Sequence, residues 1–197
     1  KSLLNIIKRD KKNFHIILLT ANKNYKDLLK QAKIFDVKNI IITDKKYYQI
    51  AKFKNQSRKI NIYNNFDIFK KVFKSKIDYV MSSIVGLDGL YPTIQIIKYT
   101  KKIAIANKES IICGWNLIKK KLEKFKTSFI PIDSEHFSIF ELIKNENSNN
   151  IKKIYITASG GPFLKTNKLN LNKFNPKNAV KHPTWKMGKK ISVDSST

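Results

Sequence analysis

Across 197 residues the chain carries 40 lysines and arginines against 14 acidic residues, a formal net charge of +26, while 42% of it is hydrophobic. That length buries one sizeable core and the beginning of a second, and the apolar fraction excludes a disordered polybasic tail. Only Arg9 and Arg58 are arginines and the lysines do not cluster, so a surface built for planar, bidentate nucleic-acid contacts is not expected. The abundance of lysine, asparagine and isoleucine reads instead as a proteome-wide bias. The single cysteine, Cys113, allows no intrachain disulfide and is expected as a small apolar filler inside a helix. No apolar run reaches bilayer length. The opening KSLLNIIKRD lacks the apolar core and cleavage site of a signal peptide and reads as the end of a helix.

In chain order, the first ten residues form that helical segment with Leu3, Leu4, Ile6 and Ile7 on its apolar side. Residues 15–19 predict a buried strand and 24–32 a helix; 39–43 a strand, 47–53 a helix; 60–62 a third short strand and 66–73 a helix. Residues 78–84 read as a strand that passes through Gly86 and Gly89 into a helix containing Ile94, Ile96 and Ile97. A strand over 103–106, a helix over 109–122, a strand over 129–132 and a helix over 134–142 follow. Residues 144–150 are polar enough for an exposed loop, 154–157 predict a strand, and 162–178 are irregular. Short apolar strands alternating with helices predict a mostly parallel α/β sheet covered on both faces, with ligands at the carboxyl ends of its strands. No glycine-rich phosphate turn is present, which leaves two readings open: an α/β domain that binds no nucleotide, or a stretch of a longer protein whose first strand and glycine loop lie upstream.

Several short blocks sit at the predicted strand ends. Ala21-Asn22-Lys23-Asn24 places a lysine there, and Asn22 is a residue type that tolerates a left-handed turn. Gly86 and Gly89 permit close backbone approach. Asn107-Lys108-Glu109-Ser110 has the makings of a helix start. Asp133 and Glu135, two apart, would point to the same side if the helix began only after them, and two carboxylates suit a hard divalent cation; the alternative is a pair of helix-start carboxylates facing free amides. Ser159-Gly160-Gly161 offers a hydroxyl and backbone amides to an oxyanion.

Taken in order, these blocks with Pro131-Ile132-Asp133-Ser134-Glu135-His136, His182-Pro183-Thr184-Trp185-Lys186-Met187-Gly188 and Ser192-Val193-Asp194-Ser195 make a chain that resembles the 1-deoxy-D-xylulose 5-phosphate reductoisomerase family from end to end. The resemblance implies a Rossmann-like NADP-binding domain over 1–132 and the start of an α/β catalytic domain over 133–197. It implies NADPH held by Ala21, Asn22, Lys23, Asn24, Asn107, Lys108, Glu109, Met187 and Gly188. It implies Mg²⁺, Mn²⁺ or Co²⁺ on Asp133 and Glu135, and a sugar phosphate held by Ser134, Ser159, His182 and Ser195. Lys108, His182 and Trp185 would join the two carboxylates in catalysis, Trp185 as part of a loop closing over substrate, while His136 would be a hydrogen-bonded structural residue. The family pattern further implies an incomplete stretch of a homodimeric enzyme. The glycine-rich loop would lie upstream; a third metal-binding glutamate, further phosphate ligands and a helical domain would lie downstream. A cytoplasmic protein of a bacterium with an AT-rich genome, such as an endosymbiont, fits the composition, and a plastid is the eukaryotic alternative. Another Rossmann-like oxidoreductase would lack these ordered blocks, and a basic nucleic-acid-binding module would show clustered arginines.

Overall fold

The computed structural model describes residues 2–55, 59–156, 160–167, 172–182 and 193, and the chain divides into two compact units, Lys1–Ile132 and Asp133–Thr197.

In the first unit, α1 (Ser2–Arg9) precedes a repeating alternation of strand and helix. Its members are β1 (Leu18–Ala21), α2 (Tyr25–Ile34), β2 (Asn39–Ile42), α3 (Lys45–Lys54), β3 (Asn61–Tyr63), the single turn α4 (Phe69–Val72), β4 (Ile77–Ser82), α5 (Leu90–Ile96), β5 (Thr100–Ile105), α6 (Lys108–Phe125) and β6 (Ser128–Pro131). All pairings are parallel, in two three-stranded sheets ordered β1-β2-β3 and β4-β5-β6. The middle strands are the driest: Ile40, Ile41, Ile42, Ile103 and Ala104 are wholly inaccessible to solvent. Runs of β-branched residues without alternation suit strands covered on both faces. One apolar cluster lies among Tyr25, Leu28, Ala32, Ile40, Ile42 and Ala51; another joins Ile41 to Phe69, Ile97, Ile103, Ile105 and Ile118, with Leu18 and Val80 packed against it. The second cluster therefore draws on both sheets.

Helix starts follow local chemistry. Asn24, Asp44 and Asn107 each accept a backbone N–H of the first turn, from Asp27, Tyr47 and Ser110, satisfying donors that the helix leaves over. The left-handed Lys126 ends α6, and its neighbour Thr127 donates to the Ile97 and Thr100 carbonyls at 2.9 Å each.

In the second unit α7 (Ser134–Ile143) is apolar at Phe137, Ile139, Phe140, Leu142 and Ile143, yet has no buried residue; α8 (Pro176–Ala179) is a single capped turn.

Four expectations need correction. The helix expected over 66–73 is reduced to α4, because an N–H acceptor pattern closes only over that turn and Phe73 is already extended. Residues 154–156 form no strand; their backbone pairs with no described strand, and Ile154, Tyr155 and Ile156 are exposed. Cys113 lies within α6, as expected, but on its exposed side, because Gly114 and Ile118 face inward. Asn22 does not adopt a left-handed conformation; among the described residues those other than glycine that do are Asp36 and Lys126. Its amide instead donates to the Thr43 hydroxyl at 2.8 Å, and its carbonyl accepts from Asp44, which carries the β1–β2 pairing one step further.

Candidate functional site

The carboxyl ends of the parallel strands gather three of the blocks singled out in the sequence. Beyond β1, Ala21 is half-buried, whereas Asn22, Lys23 and Asn24 are exposed. Asn24 is spent on its helix: its Oδ1 accepts from Asp27 N–H at 3.2 Å and its amide donates to the Asp27 carboxylate at 2.9 Å. Lys23 stands one residue before that cap, where an anion would meet its ammonium beside the positive end of the α2 dipole.

Beyond β4 and β5 the arrangement is tighter. Asn107, 3% exposed, accepts the Ser110 amide at 2.7 Å and donates to the carbonyls of Ile84 and Gly86, the latter at 2.8 Å. A second brace holds the same loop from below: the Thr93 hydroxyl donates to the Gly89 carbonyl at 2.6 Å and shares a hydrogen bond of 2.6 Å with Ser82. This brace is invisible in the sequence, where Ser82 and Thr93 are two ordinary hydroxyl residues eleven apart. Lys108 opens α6 and is exposed, and Glu109 beside it is half-buried. The Ser110 hydroxyl is buried without a hydrogen-bond partner.

In the second unit, α7 begins at Ser134, so Asp133 is its cap and Glu135 lies in its first turn. The condition for alternate residues to share a side, a helix that begins only after both, is therefore not met. Asp133 accepts the His136 amide at 3.3 Å and meets the His136 ring Nδ1 at 2.7 Å; Ser134 donates to the Glu135 carboxylate at 2.8 Å. Burial pushes the Asp133 carboxyl up, but the His136 ring and amide, with the neighbouring Glu135 side chain, outweigh it and hold it below its ordinary range. Asp133 at the cap and Glu135 in the first turn put two carboxyl groups at one helix start, and carboxylate oxygens are the donors a hard divalent cation takes. Among the described residues no third acidic, histidine or cysteine ligand joins them. His136 takes the structural place expected for it. His182 is half-buried at the end of the described stretch. Ser159, Trp185, Met187, Gly188 and Ser195 lie outside the described residues.

Comparison with known proteins gives these geometries a setting. A family model described as 1-deoxy-D-xylulose 5-phosphate reductoisomerase matches residues 1–114, and one described as the C-terminal domain of that enzyme matches residues 129–197. The reductoisomerase of Pelagibacter ubique is 58% identical over 198 residues, covering 100% of this chain and 51% of the relative; that of Wolbachia pipientis from Culex pipiens is 38% identical, with 100% and 50% covered. The solved structure of the Zymomonas mobilis reductoisomerase in complex with NADPH superposes with a TM-score of 0.87 at 34% identity, covering 99% of this chain and 50% of that one. Another reductoisomerase, solved with NADPH, fosmidomycin and magnesium, gives a TM-score of 0.81 at 31% identity, with 99% and 51% covered. The chain spans about half the length of the relatives it matches.

Proposed function

Because the chain belongs to the 1-deoxy-D-xylulose 5-phosphate reductoisomerase family, we propose that, at its relatives' full length, it converts 1-deoxy-D-xylulose 5-phosphate into 2-C-methyl-D-erythritol 4-phosphate. The observation that carries this reading is the placing of two carboxyl groups, Asp133 and Glu135, in the cap and first turn of α7. Rearranging a carbon skeleton before reduction requires control of two substrate oxygens, which a cation held by such a pair would supply.

The roles divide along the chain. Lys23, exposed beside the α2 amino terminus, offers its charge to a cofactor 2'-phosphate, which favours NADPH over NADH. Ala21, Asn22 and Asn24 shape that strand end, with Asn24 acting through its cap. Asn107, Lys108 and Glu109 frame the cofactor from the start of α6, and Lys108 adds positive charge at the rim. Asp133 and Glu135 fit Mg²⁺, Mn²⁺ or Co²⁺ by their donor chemistry, and a bound cation supplies Lewis acidity toward the substrate's carbonyl and hydroxyl oxygens. Ser134 contacts a substrate hydroxyl, and Ser159, His182 and Ser195 hold the phosphate end. Trp185, Met187 and Gly188 belong to a segment that closes over the site and excludes water from hydride delivery. NADPH supplies the hydride that reduces the rearranged aldehyde. The working form is a homodimer, and its place is the cytoplasm of a bacterium. Its relatives here are bacterial, and no described helix is long and apolar enough to cross a membrane.

The test is direct. Full-length protein is mixed with NADPH, 1-deoxy-D-xylulose 5-phosphate and Mg²⁺ or Mn²⁺, and cofactor oxidation is followed. Oxidation should require the ketose phosphate and stop on chelation of the metal; oxidation that ignores either one overturns the reading.

A further inference from the structure

Asn107 has no unused polar atom. Its Oδ1 takes the Ser110 amide and both hydrogens of its carboxamide are spent on the Ile84 and Gly86 carbonyls, with the side chain 3% exposed. We propose that Asn107 is a positioning residue of the cofactor site, acting by clamping the loop after β4 onto the first turn of α6 rather than by touching the cofactor with its side chain. The proposal rests on the NADPH-binding role advanced above.

The clamp starts where the sheet stops. The last bond between β4 and β5 runs from the Ala106 amide to the Ser82 carbonyl at 2.9 Å, and the Asn107 side chain takes over one residue later. Every peptide in the loop is trans, and in a trans peptide the N–H points opposite to the C=O. Carbonyls of Ile84 and Gly86 drawn down onto Asn107 therefore turn the amides of Val85 and Leu87 to the other side. Val85 and Leu87 in the same loop are 78% and 62% exposed. Gly86 between them, at φ +77, has no atom within 4 Å of where a Cβ would stand. The result is a glycine-centred loop that turns two amides away from the clamp at a strand's carboxyl end, the place where this kind of sheet receives ligands.

The clamp has its own spatial requirement. A Cβ on Gly89 would collide with the Asn107 carboxamide and come within 2.6 Å of the Ile84 carbonyl. Gly89 has φ −78, an ordinary value for any residue, so the glycine is explained by the carboxamide it leaves room for and not by backbone conformation.

Two substitutions separate the clamp from the helix cap. Asn107→Ser and Asn107→Asp both keep an oxygen for the Ser110 amide, as good caps do, while removing the donations to the loop. Gly89→Ala displaces the carboxamide without altering it. In full-length protein, all three should raise the NADPH dissociation constant by about tenfold, the worth of one or two lost hydrogen bonds. Amide exchange over residues 85–88 should quicken. Mg²⁺ affinity should stay near wild type. Wild-type NADPH affinity in Asn107→Ser overturns the proposal, as does an equal loss of NADPH, Mg²⁺ and substrate affinity together with a lowered melting temperature, which marks a merely structural residue. If the wild-type protein itself binds no NADPH, the enzyme reading falls first and the clamp's purpose falls with it.

Discussion

At the scale of single residues, chemistry and local structure constrain one another most visibly at Asp133. Its carboxylate caps α7 and holds the His136 ring. Asp133→Asn keeps the cap, since asparagine serves that position equally well, and removes the charge. In full-length protein it should lower kcat by about 10² or more and weaken Mn²⁺ binding, read by metal titration, with melting temperature nearly unchanged. Wild-type turnover with wild-type metal affinity would remove the metal role from this residue. Lys23→Ala belongs to the same scale. It should raise the Michaelis constant for NADPH by about tenfold, the worth of one charge-assisted hydrogen bond, and leave that for NADH alone. Equal effects on both cofactors would show that Lys23 does not read the 2'-phosphate. The residue types of this site were legible in the sequence, because carboxylates, lysines and glycines at strand ends carry chemistry wherever they stand. Their geometry was not. Asp133 and Glu135 were expected to converge along an extended segment, but the helix already begins at Ser134 and takes Glu135 into its first turn. Asn107 was read as a cofactor contact, and nothing in its type announces that both ends of its amide are used inside the protein.

At the scale of elements, α6 shows how strongly burial is divided along one helix. Ile118 is fully buried in the cluster with Ile97 and Ile103, whereas Lys120, two residues on, is exposed. Ile118→Ala should cost about 2–5 kcal/mol in urea denaturation, for the lost apolar transfer and the cavity left behind. Lys120→Ala should fall within about 0.5 kcal/mol of wild type. A small effect at Ile118 would mean the helix packs differently from the arrangement described. Alternation of strand and helix through the first unit was legible because β-branched runs such as Asn39–Ile42 and capping residues such as Asp44 are local signals. The second unit was less so. Ile154, Tyr155 and Ile156 have every propensity for a strand, but a strand is defined by a partner, and no described segment supplies one. Propensity cannot say whether a neighbour will be there.

For the whole molecule the dominant fact is charge. Against the net +26, the ion pairs among the described residues include Asp36–Lys38 at 2.7 Å and Asp78–Lys101 at 2.8 Å, both between well exposed groups. Each of these is worth little against solvent and salt. Other lysines rest over rings, as Lys98 does 4.9 Å from the Tyr99 centroid. Self-repulsion of this size destabilises the folded state and is screened by electrolyte. Melting temperature should therefore rise as NaCl is increased from low to physiological ionic strength, by about 2–4 °C for each kcal/mol of repulsion relieved. A melting temperature that falls or stays level would mean that the lysines are locally compensated.

The strand pairing carries one more consequence, and it concerns time. Leu18 meets Asn39, Asn39 meets Asn61, Ile77 meets Thr100 and Lys102 meets Ser128, so each strand joins the one made just before it in its own sheet. Every closure spans a single helix or loop, which keeps the entropy of bringing the ends together small. A parallel sheet assembled this way need not wait for distant segments, unlike most sheets rich in long-range pairing. On the ribosome, β1 to β3 can pair, with Asn61 hydrogen-bonded to Asn39 across the ladder at 3.2 Å, before β4 has been synthesised, while the face of β2 that carries Ile41 waits for later segments to cover it. Nascent chains arrested after β3 should already protect the amides of β2 from exchange.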